Sequence, residues 1–190
     1  MTAFQEQEYP RRLKLTVDNF MSLHEVGAFR GLSKVELIEG ELLTMSPQNR
    51  PHVYAKTHLA YRLFQALQTL GSPLEALVEG TIKMSDQDAP EPDIVLTTAP
   101  RGSGLIPLSS VELVIEVADS SMPFDLGQKA KLYATHRIPE YWVLGITTET
   151  LQQMWSPKGG VYTQTQIVRL GEPIESVTIP GLRIESDGLI

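Results

Sequence analysis

The sequence predicts one α/β domain built on a mixed central sheet with helices on its faces. Three observations carry that prediction. Apolar, mostly branched runs recur as short strands at 93–97, 113–118 and 140–146. The stretch 52–70 repeats apolar residues at helical spacing. The elements follow one another as helix, hairpin, helix, strands, helix, strands, with no internal repeat, linker or low-complexity segment. A chain of 190 residues is long enough for one sizeable core, so 1–190 is read as a single domain whose core covers about 18–184.

Taken in order, residues 1–15 are polar and are expected to fray, apart from Leu13 and Leu15. Asp18 caps a short helix to about Phe29, with Phe20, Leu23 and Val26 along one face. The alternation Val35-Glu36-Leu37-Ile38, the turn Glu39-Gly40 and the return Glu41–Met45 predict an N-terminal hairpin. A loop at 46–51 leads to the helix from His52 to about Leu70, where Val53, Leu59, Ala60, Leu63, Phe64 and Leu67 recur and Gly71 stops the run. Short strands are expected at 74–78 and 81–84, then the strand from Asp93 to Thr97. A loop rich in Pro, Gly and Ser fills 99–110. The central strand Leu113–Ala118 follows, then a helix from Pro123 to about His136. Ile138-Pro139 breaks that helix before the strand 140–146. C-terminal strands at 150–155, 161–168 and 174–179 complete the order, and 180–184 closes the fold.

Composition narrows the function classes. Hydrophobic content of 42% and charged content of 21% are ordinary for a soluble globular chain. No run of 18 or more apolar residues is present, so no transmembrane helix is expected. The first residues lack the basic-then-apolar pattern of a signal segment. Without cysteine there is neither a disulfide framework nor a thiolate metal site, which makes a cytoplasmic location the default expectation. A net charge of −7 argues against broad, sequence-independent binding to a phosphate backbone, but not against a local basic cleft or a divalent cation bridging acids to phosphate.

The chemistry concentrates on two acids set in apolar strands. Glu116 lies within Leu113-Val114-Ile115-Glu116-Val117, and Asp93 opens Asp93-Ile94-Val95-Leu96. A carboxylate in a buried strand costs several kcal/mol unless it is paired or binds a cation. The 22 residues between them suit adjacent strands joined by a surface loop, so both carboxylates can share one face. Oxygen ligands in this number suit Mg²⁺ or Mn²⁺, with water and substrate phosphate in the remaining positions. Lys129, on the helix after the central strand, is placed to reach over the same strand ends.

These residues, in order, resemble a known family. Pro92-Asp93 followed by Glu116 in an apolar strand resembles the PD-(D/E)XK nuclease superfamily. The segments Glu36–Leu42, Met45-Ser46-Pro47, His52 at a helix start, Glu91–Val95, Leu113–Val117 with Ser120-Ser121, Lys129, Tyr133 and Ile138–Val143 resemble the Uma-two family of restriction-endonuclease-like proteins, over about Phe20 to Ile184. The resemblance implies a restriction-endonuclease-like mixed sheet flanked by helices. It also implies Mg²⁺-dependent (or Mn²⁺-dependent) endonuclease cleavage of DNA by a metal-activated water, and a homodimer. Carried over by residue, Asp93 and Glu116 are metal ligands and the Val117 carbonyl a third. Lys129 orients the water and stabilises the transition state. His52 and Glu39 are accessory residues near the pocket.

The chain departs from the pattern twice. The superfamily often places its lysine two residues after the glutamate, where Ala118 stands here, so the cation comes from Lys129. The family also tends to carry an aspartate after the Tyr-Trp strand, where this chain has Gly145. Structural readings stand beside the functional ones. Asp93 alone caps a strand, Glu116 alone forms an ion pair, Lys129 alone is a solvated helix lysine and His52 a helix-start residue. Of Glu36, Glu39 and Glu41, two are expected to face solvent and at most one to be functional. Tyr133, Tyr141 and Trp142 read as packing, and Ser120 and Ser121 have no visible His-Asp partnership. The rival to a nuclease is a module of the same fold, weak or inactive in catalysis, that binds nucleic acid or protein.

Overall fold

The computed structural model describes residues 12–190, so the fraying expected of residues 1–11 lies outside the described residues. In chain order the elements begin with α1 (Val17–Glu25), β1 (Lys34–Ile38), β2 (Glu41–Met45) and α2 (Arg50–Leu70). Next come β3 (Glu75–Val78), β4 (Ile82–Lys83), β5 (Ile94–Thr97), β6 (Ile106–Pro107) and β7 (Val111–Ala118). A helix follows as α3 (Met122–Phe124), a π-helical turn (Asp125–Lys129) and α4 (Ala130–Thr135) without interruption. The chain ends with β8 (Glu140–Gly145), β9 (Thr150–Lys158), β10 (Val161–Arg169), β11 (Ile174–Glu175) and β12 (Arg183–Ile184).

Local chemistry sets the ends of these elements. Thr16, not Asp18, caps α1. Its hydroxyl accepts the Asn19 N–H at 3.2 Å while Asn19 Oδ1 accepts the Thr16 N–H at 3.1 Å, a reciprocal capping box. Asp18 instead sits in the first turn, where the helix dipole favours an anion. Val26 lies past the end of α1 and is exposed, which removes it from the expected apolar face. Asn49 caps α2 by accepting the His52 N–H at 3.0 Å, and Gly71 ends it in the left-handed region at φ 60°. The β1–β2 turn places both Glu39 and Gly40 at positive φ, 52° and 74°, the geometry of a two-residue hairpin whose twist matches its strands.

Six strands form the main sheet in the order β10-β9-β8-β7-β5-β3. The β7–β8 pair is parallel and its other pairs are antiparallel, so the sheet is mixed as expected. The α3–α4 helix makes the crossover that a parallel pair needs. β7 is central and buried along nearly its whole length, and alternation splits its side chains between two cores. Leu113, Ile115 and Val117 join Leu59, Leu63, Leu67 and Trp142 beneath α2. Val114 and Ala118 join Tyr133, Tyr141 and Ile38 beneath α4 and the hairpin. Each such apolar side chain contributes about 1.5–3 kcal/mol on full burial. The buried stripe of α2 runs Ala55-Leu59-Leu63-Leu67, and Val53 and Phe64, expected on that face, lie outside it and are exposed.

Two expected elements take another form. The loop 99–110 contains β6, which pairs in parallel with β4, and a 3₁₀ turn. The strand expected at 174–179 shortens to Ile174–Glu175. Beyond it the N–H groups of Val177 and Thr178 donate to the buried Glu140 carboxylate instead of to a neighbouring strand. Among the described residues no helix is long and apolar enough to cross a membrane.

Candidate active site

A cavity of about 550 Å³ opens where β1, the start of α2, the start of β5, the end of β7 and the π-helical turn meet. Each wall owes its side chains to an element already described. Glu116 lies on the α4 face of β7. Asp93 immediately precedes β5, next to β7 in the sheet. The Asp93 N–H donates to Glu116 Oε2 at 3.4 Å, and Asp93 Oδ2 accepts the Val117 N–H at 2.8 Å. The two acids expected to share a face therefore do so, both almost fully buried.

The helix after β7 brings Lys129 to the same point. Its ammonium donates to Glu116 Oε1 at 2.8 Å and to Glu36 Oε1 at 3.0 Å, and the Tyr133 hydroxyl donates to Glu116 Oε1 at 2.8 Å. A π-turn carries one more residue than an α-turn and shifts the side chains beyond it around the axis. Here it leaves both Asp125 and Lys129 buried against the cavity. Ala118 is fully buried in the core under Tyr133 and Tyr141, so a lysine there would have to enter packed apolar space. At Gly145 an added Cβ would lie 2.2 Å from Thr148 Oγ1 and 2.4 Å from the Met122 methyl, so an acid there needs both side chains to move.

The two carboxylates are shifted in opposite directions. Burial works against ionising Asp93, but the His52 hydrogen bond, the nearby Lys34 charge and the Val117 N–H overcome it and hold the group below the ordinary value. Burial pushes Glu116 up to about 7 against the pull of Lys129, and the Asp93 charge pushes the same way. Burial also opposes the charge on Lys129, yet the Glu116 and Glu36 carboxylates outweigh it and raise its pKa. The two carboxylates beside it thus favour the charged form of Lys129.

His52 reaches the site as expected, its Nε2 lying 3.2 Å from Asp93 Oδ1. Glu39 does not. It occupies the exposed hairpin turn, where its N–H donates to Asp88 and its carbonyl accepts from Lys14; the turn at positive φ points this residue away from the cavity. The hairpin acid that does reach the cluster is Glu36, fully buried. Its Oε1 accepts Lys129 and the Glu91 N–H, while its Oε2 has no hydrogen-bond partner among the described residues.

Three basic or acidic groups besides Glu36 were not marked out by sequence reasoning. Lys34, on β1, lines the cavity. Burial opposes its charge, but Glu116 and Glu36 outweigh it and raise its pKa. Lys56, on α2, donates to Gln48 Oε1 and Glu79 Oε1 and lies 3.7 Å from Asp93 Oδ1. Asp125 lines the cavity from the π-turn, and burial raises its pKa. A sequence signal existed for Lys56: it stands one turn after His52 and beside the buried stripe of α2.

The donor set fits a hard divalent cation. Asp93 and Glu116 supply carboxylate oxygens side by side, and Glu116 Oε2 carries only the long contact from the Asp93 N–H, which leaves lone pairs open. Among the described residues no three His, Asp or Glu side chains form a ready-made cation cage. Mg²⁺ does not require one, because one or two carboxylates with water and substrate phosphate commonly complete its shell.

Comparison with known proteins places this geometry in a family. The model of the Uma2 family, described as "Putative restriction endonuclease", matches residues 18–186. A crystal structure of "a putative nuclease belonging to DUF820" from Anabaena variabilis is similar in fold. Its TM-score is 0.66 at 16% identity, over 85% of this chain and 89% of that one. No curated protein matches. The chain belongs to the Uma2 family, and its sheet and helices have the restriction-endonuclease-like arrangement that the sequence predicts.

Proposed function

We propose that this member of the Uma2 family is a nuclease, an endonuclease that hydrolyses DNA phosphodiester bonds with Mg²⁺ or Mn²⁺. The observation that carries the reading is the convergence of Asp93, Glu116 and Lys129 on one cavity wall, from three elements far apart in sequence. In the net reaction a water oxygen forms a bond to phosphorus as the in-line P–O bond breaks. One water proton ends on the departing alkoxide, giving a phosphomonoester and an alcohol.

Asp93 and Glu116, with the Val117 backbone carbonyl, are the residues that would hold the cation, which when bound would supply an activated water and offset charge on the phosphate. His52 holds Asp93 by its hydrogen bond, so the carboxylate keeps one orientation. Lys129 holds Glu116 and keeps a fixed positive charge at the reacting centre, where charge builds up in the transition state. Tyr133 fixes the same Glu116 oxygen from the other side. A homodimer follows from the reading, because one cavity per copy cuts one strand; sedimentation of the purified protein on a short duplex tests it.

Plasmid cleavage with Mg²⁺ or Mn²⁺ tests the activity. Wild type is expected to convert supercoiled DNA to nicked and linear forms, and Glu116→Ala to leave it intact. Isothermal titration with Mn²⁺ checks the ligands separately, with the site expected to vanish in Asp93→Ala. If pure wild type makes no metal-dependent cut in DNA or RNA, the nuclease reading falls and a binding module of the same fold replaces it.

A further inference from the structure

Three lysines surround the carboxylate cluster, and they are not equivalent. Lys129 is 2% exposed and spends its donors on Glu116 and Glu36. Lys56 is 6% exposed and is engaged by Gln48 and Glu79. Lys34 differs from both. It lines the cavity and keeps 13% of its side chain accessible. Among the described residues its ammonium makes no hydrogen bond, and its one carboxylate partner within ion-pair distance is Glu36 Oε1, at 3.4 Å. An ammonium carries three donors. Here they face a polar cavity, while the oxygen that draws the group inward is already shared with Lys129.

We propose that Lys34 is the lysine that touches the substrate: its ammonium donates to a non-bridging oxygen of the phosphoryl group seated in the cavity. The inference rests on the nuclease reading for the identity of the substrate, a phosphodiester, but not for the contact itself. It assigns different work to the two cavity lysines. Lys129 fixes Glu116, and Lys34 meets the anion. The hairpin supplies this group because β1 buries Glu36 and thereby fixes the strand that carries Lys34 two residues earlier, on the same face. Glu36 is a positioning residue in this scheme. One of its oxygens holds both ammonium groups near the cavity without occupying either fully.

The test separates the contact from the chemistry. Inorganic phosphate is titrated calorimetrically, with Mg²⁺ present, into wild type, Lys34→Met and Lys34→Arg, and each variant's melting temperature is recorded. Wild type is expected to bind. Lys34→Met is expected to bind at least about tenfold more weakly, and Lys34→Arg to stay within about threefold of wild type. Single-turnover cleavage of a duplex is expected to slow by about 100-fold in Lys34→Met, as when one donor to a developing anion is removed. Lys34→Gln replaces Lys34→Met if the latter does not fold. Phosphate binding that is absent in wild type, or equal in wild type and Lys34→Met, overturns the proposal. So does wild-type cleavage by Lys34→Met. If phosphate binding depends on Lys34 while no variant cuts nucleic acid, the contact stands and the nuclease reading fails.

Discussion

Two buried glutamates in neighbouring strands, Glu116 on β7 and Glu140 on β8, show two ways to keep a carboxylate in a core. Glu140 is fully buried and, among the described residues, has no ammonium or guanidinium within ion-pair distance. Its oxygens accept the Trp142 indole N–H at 2.6 Å, the Ser176 and Thr178 hydroxyls at 2.6 and 2.8 Å, the Val177 and Thr178 N–H groups and, at 3.4 Å, the Gln153 side-chain amide. Glu116 is almost as buried, yet it receives one ammonium, one phenol and one long N–H contact, with Asp93 and Glu36 close by. Enough dipoles satisfy an anion without a counter-ion. The Glu140 pocket is therefore complete, and its product is architecture: it ties the C-terminal segment to the sheet. The Glu116 pocket leaves Glu36 Oε2 without a hydrogen-bond partner among the described residues and opens onto a cavity. On the proposed nuclease reading, a bound cation would complete what the protein leaves open there.

Four measurements can break that contrast or sharpen it. The largest effect is expected for Glu116→Gln, which keeps the shape and removes the charge. Cleavage should fall by more than about a thousandfold, on the order of 4 kcal/mol, while the melting temperature stays level or rises. A large loss of stability would place Glu116 with Glu140 as an architectural acid. Glu140→Gln should do the reverse. Replacing an acceptor of six donors by an amide costs about 2–3 kcal/mol in urea unfolding, and the protein that remains folded keeps its cleavage rate.

Asp88 tests an intermediate case. Burial raises its pKa, but hydrogen bonds from His136, Ser85 and the Glu39 N–H more than reverse this and hold it at about 2, below the ordinary 3.8. A depressed carboxylate stabilises the fold above its unfolded pKa and loses that contribution as pH falls. The stabilisation is thus complete above about pH 4 and disappears toward pH 2. It amounts to on the order of 1 kcal/mol after screening. The stability gap between wild type and Asp88→Asn should close over that window and stay constant above it. The smallest effect is expected for Glu39→Asn. Asparagine tolerates the left-handed turn better, so stability should rise by a few tenths of a kcal/mol with cleavage unchanged. A loss of cleavage would return Glu39 to the site.

The parts of the site legible in the sequence were those set against a contrasting background. Asp93 and Glu116 stand out because charge is costly in an apolar strand, and Lys129 follows from the helix that must cross back after β7. Lys34 and Glu36 were hidden by the hairpin. Alternation along Val35-Glu36-Leu37-Ile38 assigns one face to solvent, whereas β1 is covered on both faces and buries Glu36, Leu37 and Ile38 in succession. Glu39 was misplaced for the same reason, since turn geometry and not polarity decides which hairpin acid points inward. The C-terminal strand at 174–179 was overread because the sequence does not reveal that Glu140, more than 30 residues away, competes for its N–H groups. The order of the main elements was legible because strong periodicity and hard stops at Gly71 and Ile138-Pro139 leave few alternatives.

The π-helical turn ahead of Lys129 has an evolutionary corollary. Adding one residue to an α-helix without lengthening it yields such a turn. Excise Gly127 and the helix can close into ordinary α geometry, and everything downstream swings by about 100° relative to what precedes it. The ammonium would then leave Glu116, or Asp125 would leave its own place. A lineage can therefore acquire or forfeit this lysine through one in-frame slip of replication, without altering the identity of any surrounding residue.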